Sequence, residues 1–201
     1  MKPQLRQPTA SRQAEIVATM VHLSAARNPT EITTGDIAQA IGVTQGALFR
    51  HYPSKEAIRL AVVDWIEARL MGELTTARAA AADPRVALAA MFRAHVRFTC
   101  DHPGVPRLVF AELQEPETSP VRQRVRALMQ RYRQTLAAVL AQARADGLIR
   151  GDVDCAAAAG LFLGAIQGLV IQQLLGGAPG AAEQQAEGVL QLYLTGLGEA
   201  S

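Results

Sequence analysis

The sequence predicts an all-α fold, with a three-helix unit at the N-terminus and a larger helical part behind it. Hydrophobic residues make up 49% of the 201 residues but aromatic residues only 4%, and alanine is abundant. Such a composition favours tightly packed helices over a β-sandwich. No alternating strand pattern recurs, whereas cap and breaker residues divide the chain into helical stretches. The length is ample for a buried core in one or two domains.

The first element is expected to be a tail followed by a helix. The opening stretch MKPQLRQPTAS has two prolines and no apolar run, so it is typical of neither a signal peptide nor a membrane anchor, and we expect disorder there. A helix should run from about Ser11 to Arg27. Ile16, Met20 and Leu23 recur in it at helical spacing and would pack on the elements that follow.

The next elements are two short helices joined by a turn, within residues 33–58. Thr33 and Asp36 have the spacing of a capping box at the first helix, and Gly42 suits the left-handed residue that ends it. Thr44 can cap the second helix. Two helices crossing over such a turn form a helix-turn-helix, which places its second helix in a DNA major groove. A purely structural helical hairpin needs the same caps and remains the alternative.

This segment resembles the TetR family of bacterial transcriptional regulators. The family pattern is a Thr-capped helix, Ile/Leu-Ala, Gly-Val, Ser/Thr-x-Gly-x-Leu-Tyr-x-His-Phe and a Lys after a short turn. The matching residues are Thr33, Thr34, Ile37, Ala38, Gly42, Val43, Thr44, Gly46, Leu48, His51, Tyr52 and Lys55. The resemblance implies a DNA-binding domain with its tail over residues 1–54 and a helical ligand-binding and dimerisation domain over residues 55–201. It also implies a cytoplasmic homodimer that occupies a palindromic operator, acts as a repressor and is released by a small molecule.

The positions expected to meet DNA lie on and around the second short helix. Thr44, Gln45 and Arg50 are candidates for reading bases, because Gln pairs with adenine and Arg with guanine. Thr34, His51 and Lys55 are better placed for phosphates, and Gly46, Ala47 and Phe49 complete the expected surface. Family members usually carry at position 49 a Tyr whose hydroxyl bonds a phosphate, which Phe49 cannot do. Each candidate is also compatible with plain solvated surface.

Charge is unevenly spread along the chain. Residues 1–55 hold six of the 20 basic residues and three of the 18 acidic ones, which gives a net charge of +3. The remainder holds 14 basic and 15 acidic residues, a net charge of −1. The positive end is the end with the helix-turn-helix, which fits a compact operator-binding head. Lys2 and Arg6 suggest an arm that touches DNA beside the head, with an uninvolved tail as the alternative.

The helices behind the head are expected to enclose an effector pocket. A long helix should run from about Ser54 to Ala82, a second should start at Asp83-Pro84, a short proline-split piece begins at His102, and another helix starts at Ser119-Pro120. An apolar pocket with few polar groups suits a hydrophobic or amphipathic molecule. The candidate lining residues are Phe92, His95, Phe98, Met129, Tyr132, Phe162, Ile166 and Gln167. Taken singly, each of them is more typical of plain core than of a pocket.

The apolar stretch from Cys155 to Leu175 is about as long as a membrane span. It is rich in Ala and Gly, is interrupted by glutamines and lacks basic or aromatic flanks, so we expect instead a helix packed in its own domain and against a partner subunit. Small residues every four positions would allow close contact between helices. The expected dimer interface comprises Gly160, Gly164, Gly168, Leu190, Tyr193 and Leu194. A monomeric core helix is the alternative.

No metal site, cofactor or enzyme motif is evident in the sequence. The spacing of His95, Cys100 and His102 does not bring all three to one helical face, so no metal is expected. Cys100 and Cys155 match no disulfide framework, and a redox role for Cys155 is open but not favoured. Nucleophile elbows, phosphate-binding glycine loops and zinc-protease motifs are missing. The rival functions are therefore an architectural DNA-binding protein of the same fold without an effector and, further away, a helical-bundle enzyme.

Overall fold

The structure is a computed structural model, and it describes residues 9–176 and 180–198. Within these ranges the chain is helical, with no strand. The helices are α1 (Thr9–Ala26), α2 (Thr34–Ala40), α3 (Gln45–Phe49), α4 (Lys55–Ala79), α5 (Pro84–Asp101), α6 (Gly104–Gln114), α7 (Pro120–Ala145), α8 (Cys155–Leu174) and α9 (Ala181–Leu197). The predicted all-α fold is confirmed. The suggested arm residues Lys2 and Arg6 lie outside the described residues.

Two compact units make up the described chain. The first contains α1–α3, α4 as far as Ile66, α6 and the start of α7 as far as Val125. The second contains the remainder of α4 and α7 together with α5, α8 and α9. The compact units therefore divide inside α4 and α7 and not after residue 54. The functional division into residues 1–54 and 55–201 remains a prediction.

Helices α1 and α6 form the centre of the first unit. Ile16 and Met20 of α1 are buried, as the helical spacing predicted, and Val17 is buried with them. Leu23, predicted to pack in the same way, is half-buried. α6 begins at Gly104, where a Cβ would lie 2.0 Å from the carbonyl oxygen of Val21. Only a residue without a side chain permits this approach, so Gly104 sets how closely α6 packs on α1.

The segment beginning at His102 is more regular than the sequence suggested. It contains the eleven-residue helix α6, with Pro103 as its N-cap residue and Pro106 in its first turn. The amide N–H groups of a first helical turn have no partner within the helix, so proline loses no hydrogen bond there. The two prolines therefore begin a helix and do not split one.

Aspartate side chains cap the starts of two helices in the second unit. The Asp83 carboxylate accepts from the Val86 amide at 2.8 Å, at the start of α5. The Asp154 carboxylate accepts from the Ala156 and Ala157 amides at 2.8 and 3.1 Å, at the start of α8. Both aspartates satisfy amides that the helix itself leaves unpaired. The sequence therefore predicted where these helices begin, whereas α4 ends at Ala79 and not at Ala82.

In the described part of the chain, α8 alone is long and apolar enough to cross a membrane by length and composition. Its mean hydropathy is 1.7, and 39% of the apolar window is buried. Core helices of soluble proteins meet the same criterion. Burial is confined to part of the helix surface, and Gly160, Gly164 and Gly168 are exposed in the single chain. One face of α8 is therefore buried in its own unit, and the burial of the other face against a partner subunit stays a prediction.

Candidate nucleic-acid interface and effector site

The helix-turn-helix is held by the caps that the sequence predicted. The hydroxyl of Thr33 accepts from the Asp36 amide at 3.1 Å, and the Asp36 carboxylate accepts from the Thr33 amide at 2.7 Å. Gly42 has a φ of +68°, which favours glycine over residues with a side chain. The Thr44 hydroxyl accepts from the Ala47 amide at 3.2 Å. These local bonds fix where α2 and α3 begin, and Gly42 lies in the turn between them.

The outer surface of α3 contains most of the residues predicted to meet DNA. Gln45, Gly46, Phe49 and Arg50 are exposed, as is the cap residue Thr44, whereas Ala47 and His51 are half-buried. Leu48 is fully buried and anchors the short helix to its own unit. Phe49 is 41% exposed, so its ring is accessible on the outer surface of α3.

Gln45 and Thr34 are linked across the two helices. The Nε2 of Gln45 donates to the Oγ1 of Thr34 at 2.6 Å. Thr34 is only 8% exposed. The phosphate contact predicted for Thr34 therefore involves a hydroxyl that already has a partner inside the protein.

Lys55 is hydrogen-bonded to the loop between α1 and α2. Its Nζ donates to the carbonyl oxygen of Thr30 at 2.8 Å, and the side chain is half-buried. Desolvation lowers the pKa of Lys55, and the positive charge of Arg59 acts in the same direction. A phosphate contact by Lys55 would require this bond to be given up.

Two further cations of the head are paired with acids. Arg12 lies 2.7 Å from Glu15, and Arg27 lies 3.0 Å from Asp36. The hydrogen bond from Arg27 is the largest influence that holds the pKa of Asp36 well below its usual range. Among the described cations up to residue 55, Arg50 has no such partner. Fewer basic side chains of the head are therefore free to meet phosphates than their number suggests.

An ion-pair network that the sequence did not reveal joins α4 to α6 within the first unit. The Nε of Arg59 donates to Oε1 of Glu112 at 2.7 Å, and its second nitrogen donates to Oε2 of the same carboxylate. Arg59 also bonds Glu115 at 3.0 Å. Glu112 is 4% exposed. A cavity of about 60 Å³ lies beside the network and is also lined by Met20, Pro29, Thr30, Lys55 and Ala111.

Four of the predicted effector residues form one aromatic cluster in the second unit. Phe162 contacts Phe92 and Tyr132 edge-on, with ring centroids 5.3 and 6.4 Å apart. His95 Nδ1 lies 3.2 Å from the hydroxyl of Tyr132. Burial lowers the pKa of His95 to about 4, so the imidazole is neutral at physiological pH. The cluster is thus apolar and uncharged, with one polar pair inside it.

The other predicted effector residues are distributed differently. Phe98 and Ile166 are buried, and Met129 is half-buried. Gln167 is exposed, which corrects its assignment as an inward polar group, because it lies about 100° around α8 from the buried Ile166. Tyr193, which the sequence assigned to the dimer interface, also belongs to the aromatic cluster. Its ring contacts Phe162 at 5.6 Å, and its hydroxyl donates to the Ala158 carbonyl oxygen at 3.1 Å.

The predicted interface residues separate into an exposed and a buried group. Gly160, Gly164 and Gly168 form an exposed ridge on α8 with nothing within 4 Å of the Cβ each lacks. On α9, Leu190 and Tyr193 are buried inside the subunit, and Leu194 is half-buried. The assignment of Leu190 and Tyr193 is therefore corrected, since a residue in the subunit core is not available to a partner. The exposed large apolar side chains of these helices are Leu161, Ile171, Leu174, Leu175 and Leu192.

Three arginines of α7 are paired with acidic side chains. Arg124 lies 2.7 Å from Asp64, and Arg131 lies 2.7 Å from Glu67. Arg122 lies 3.7 Å from Glu117. These pairs support a structural role for the arginines and not a second nucleic-acid site.

The described residues contain no group of three potential metal ligands. Cys100 and Cys155 are half-buried free thiols. Burial raises the pKa of Cys100, which favours the unreactive protonated thiol.

Comparisons with known proteins agree with this geometry. A sequence model described as "Bacterial regulatory proteins, tetR family" matches residues 16–62, and one described as "Tetracyclin repressor-like, C-terminal domain" matches residues 110–189. The nucleoid occlusion factor SlmA of Vibrio vulnificus (strain YJ016) is 27% identical over 132 residues, which cover 65% of this chain and 67% of that protein.

Two solved structures show the same fold. The fatty acid degradation regulator FadR of Bacillus halodurans superposes with a TM-score of 0.83 at 17% identity, over 98% of this chain and 100% of that one. FadR of Bacillus subtilis, solved in complex with stearoyl-CoA, superposes with a TM-score of 0.77 at 18% identity, over 91% of this chain and 98% of that one.

Proposed function

Since the chain belongs to the TetR family and is a transcriptional regulator of that family, we propose that it is a cytoplasmic repressor. It binds a palindromic operator as a homodimer, and a small apolar or amphipathic effector releases it. The observation that carries the proposal is the capped helix-turn-helix, whose α3 presents Gln45, Phe49 and Arg50 to solvent. An α3 docked in a major groove would bring these side chains to base edges and phosphates.

The exposed apolar surface of α8 and α9 supports the homodimer. Leu192 on α9 is 76% exposed, and Leu161 and Leu175 on α8 are exposed with it. The glycine ridge of α8 would let a partner helix approach closely. Apolar side chains on both helices favour burial against an identical surface over solvation. Two helices from each subunit would then form a four-helix interface.

The aromatic cluster supports the chemistry proposed for the effector. Its rings and the neutral His95 leave no charge to meet an ionic group, so the part of the ligand that enters should be apolar and uncharged. His95 and Tyr132 would exchange their mutual bond for bonds to one polar group of the ligand. The stearoyl-CoA bound to FadR of Bacillus subtilis has such a long apolar part.

The proposed switch uses α4, which is continuous from the first unit into the second. Effector binding would shift α4 and change the separation of the two heads in the dimer. A ligand weakens operator binding only if it binds the released state better than the DNA-bound state. Repression is favoured over activation because occupancy of a promoter is enough to block it.

The experiment is to isolate the genomic DNA fragments that the purified protein retains and to sequence them. We expect one or a few palindromes with half-sites about one helical turn apart. Acyl-CoA thioesters and free fatty acids of graded chain length are then titrated into the complex. Release by one class at saturation supports the proposal. Operator affinity that no member of this apolar panel changes would refute the effector chemistry.

A second function, an architectural DNA-binding protein without an effector, is supported by the name of the Vibrio relative, a nucleoid occlusion factor. The same sequencing experiment separates the two functions. Retention of many dispersed sites, with affinity insensitive to every ligand tested, would favour the architectural role.

A further inference from the structure

The hydrogen bond between Thr34 and Gln45 joins the first residues of two helices. Thr34 begins α2 and Gln45 begins α3, and Nε2 of Gln45 lies 2.6 Å from Oγ1 of Thr34. The hydroxyl is almost fully enclosed, whereas the amide belongs to an exposed side chain on the helix proposed to enter the groove. An enclosed, fixed hydroxyl therefore holds a flexible, exposed side chain.

The bond leaves Gln45 with the atoms that recognise an adenine. A Gln side chain has two N–H donors and one carbonyl oxygen, and Thr34 takes one donor. The remaining N–H and Oε1 match the N7 acceptor and N6 donor of adenine in the major groove. Because a free Gln side chain samples many rotamers, fixing one before DNA arrives reduces the conformational entropy lost on binding.

We propose that Thr34 is a positioning residue, which presents the Gln45 amide to one adenine in each operator half-site. The inference rests on the proposed function, because it requires sequence-specific DNA binding. A positioning role for Thr34 and a phosphate contact by Thr34 predict different effects of mutating this residue on DNA binding. Loss of a phosphate contact weakens binding to all sequences alike, whereas loss of a positioning contact relaxes the preference at one base pair.

The test measures base preference with a randomised half-site library and the full-length protein. The variants are Thr34→Val, Thr34→Ser, Gln45→Ala and the double variant Thr34→Val with Gln45→Ala. We expect wild type to prefer adenine at one position by about 5- to 100-fold, the range for a bidentate pair, and Gln45→Ala to lose that preference. Thr34→Val should lower the adenine preference at least about threefold, which is part of the range for a full bidentate pair. Thr34→Ser keeps the hydroxyl and should keep the preference. In the Gln45→Ala background, Thr34→Val should change nothing at that position.

Several results would overturn the inference. They are an unchanged adenine preference in Thr34→Val, an equal loss of affinity for every sequence, or an adenine preference that survives in Gln45→Ala. A wild-type protein that selects no sequence would instead refute the proposed function.

A measurement on the wild-type protein covers the case in which Thr34→Val does not fold. The side-chain amide of Gln45 should be rigid on the fast timescale seen by NMR relaxation, with Thr34→Ser behaving alike. An order parameter below about 0.6, the value of a flexible group, would overturn the inference without any hydroxyl-free variant.

Discussion

Arg59 and Glu112 form a two-bond ion pair between α4 and α6, with the carboxylate almost fully buried. Replacing Arg59 with Met would leave that carboxylate without its main partner, which is the costly way to break such a pair. We expect the free energy of unfolding to fall by about 2–3 kcal/mol, at the low end of the range because Arg59 is partly exposed. Urea denaturation at pH 7.5 measures this.

A matched control is the exposed pair of Arg93 with Glu187, which also has two bonds, of 2.9 and 2.7 Å. Both side chains are about half exposed, so solvent screens their attraction. Arg93→Met should therefore leave the urea midpoint nearly unchanged. Equal losses in the two variants would show that burial of Glu112 contributes nothing.

Gly104→Ala should loosen the packing of α6 on α1. The added Cβ would lie 2.0 Å from a backbone oxygen, so the helices must separate. We expect a loss of about 2–3 kcal/mol in unfolding free energy, as for overpacked sites. The control is Gly72→Ala on α4, where nothing lies within 4 Å of the added carbon. That variant should gain about 0.5–1 kcal/mol, because alanine restricts the unfolded chain and favours helix.

Leu192→Asp should separate the proposed dimer into folded monomers. The side chain is exposed in the single chain, so its replacement does not disturb the subunit core, but a charge would be buried in the interface. Sedimentation velocity should show the lower mass, and operator affinity should fall with it. Val86→Asp is the control, since Val86 is also an exposed apolar residue but lies on α5. A dimer that persists in Leu192→Asp would place the interface elsewhere.

His95 should make the protein less stable in mild acid. Its pKa is about 4 in the folded chain, below the ordinary value of 6.5, so the unfolded chain binds the proton more readily. This contribution is fully present above pH 6.5 and is lost as the pH falls toward 4. Between pH 7.5 and 5 we expect a loss of about 2 kcal/mol. Urea unfolding of wild type and His95→Gln should show the loss in wild type alone, and a loss of the same size in both would assign it to other groups.

Phe49→Tyr should tighten operator binding if the docking resembles that of other family members, whose Tyr bonds a phosphate there. Phe49 is partly exposed, so a hydroxyl can be added without crowding the core. One added hydrogen bond should increase affinity by about two- to tenfold. Fluorescence anisotropy with a labelled operator measures the change. Because the contact is to the backbone, base preference should stay as it is, and weaker binding would contradict the proposed orientation of α3.

Local signals in the sequence predicted most of the fold. The capping box at Thr33 and the cap at Thr44 depend on residues a few positions apart, which a single sequence displays directly. The helix order and the exposed surface of α3 followed from them. The aromatic cluster was predicted in part, because Phe92 and His95 belong to a clear apolar stripe.

Long-range relationships were not predictable in the same way. Arg59 and Glu112 are 53 positions apart, and each could have been an ordinary surface residue. In α9, Leu190 and Leu192 belong to different apolar stripes on one helix, and periodicity does not say which stripe faces the core. The sequence therefore predicted apolar stripes on α9 but expected Leu190 and Tyr193 to face a partner, whereas both are buried in their own unit.

The internal partners of Arg12, Arg27 and Lys55 have a consequence for DNA binding as a polyelectrolyte reaction. Each phosphate that a protein neutralises releases about 0.9 of a condensed counterion, and this release makes affinity fall as salt rises. Where Arg12 and Arg27 stay paired with their acids and Lys55 stays bonded to a carbonyl oxygen, the head neutralises fewer phosphates than its basic residues would allow. Its occupancy of DNA should then respond weakly to intracellular ionic strength, so that osmotic stress alone would not empty the operator.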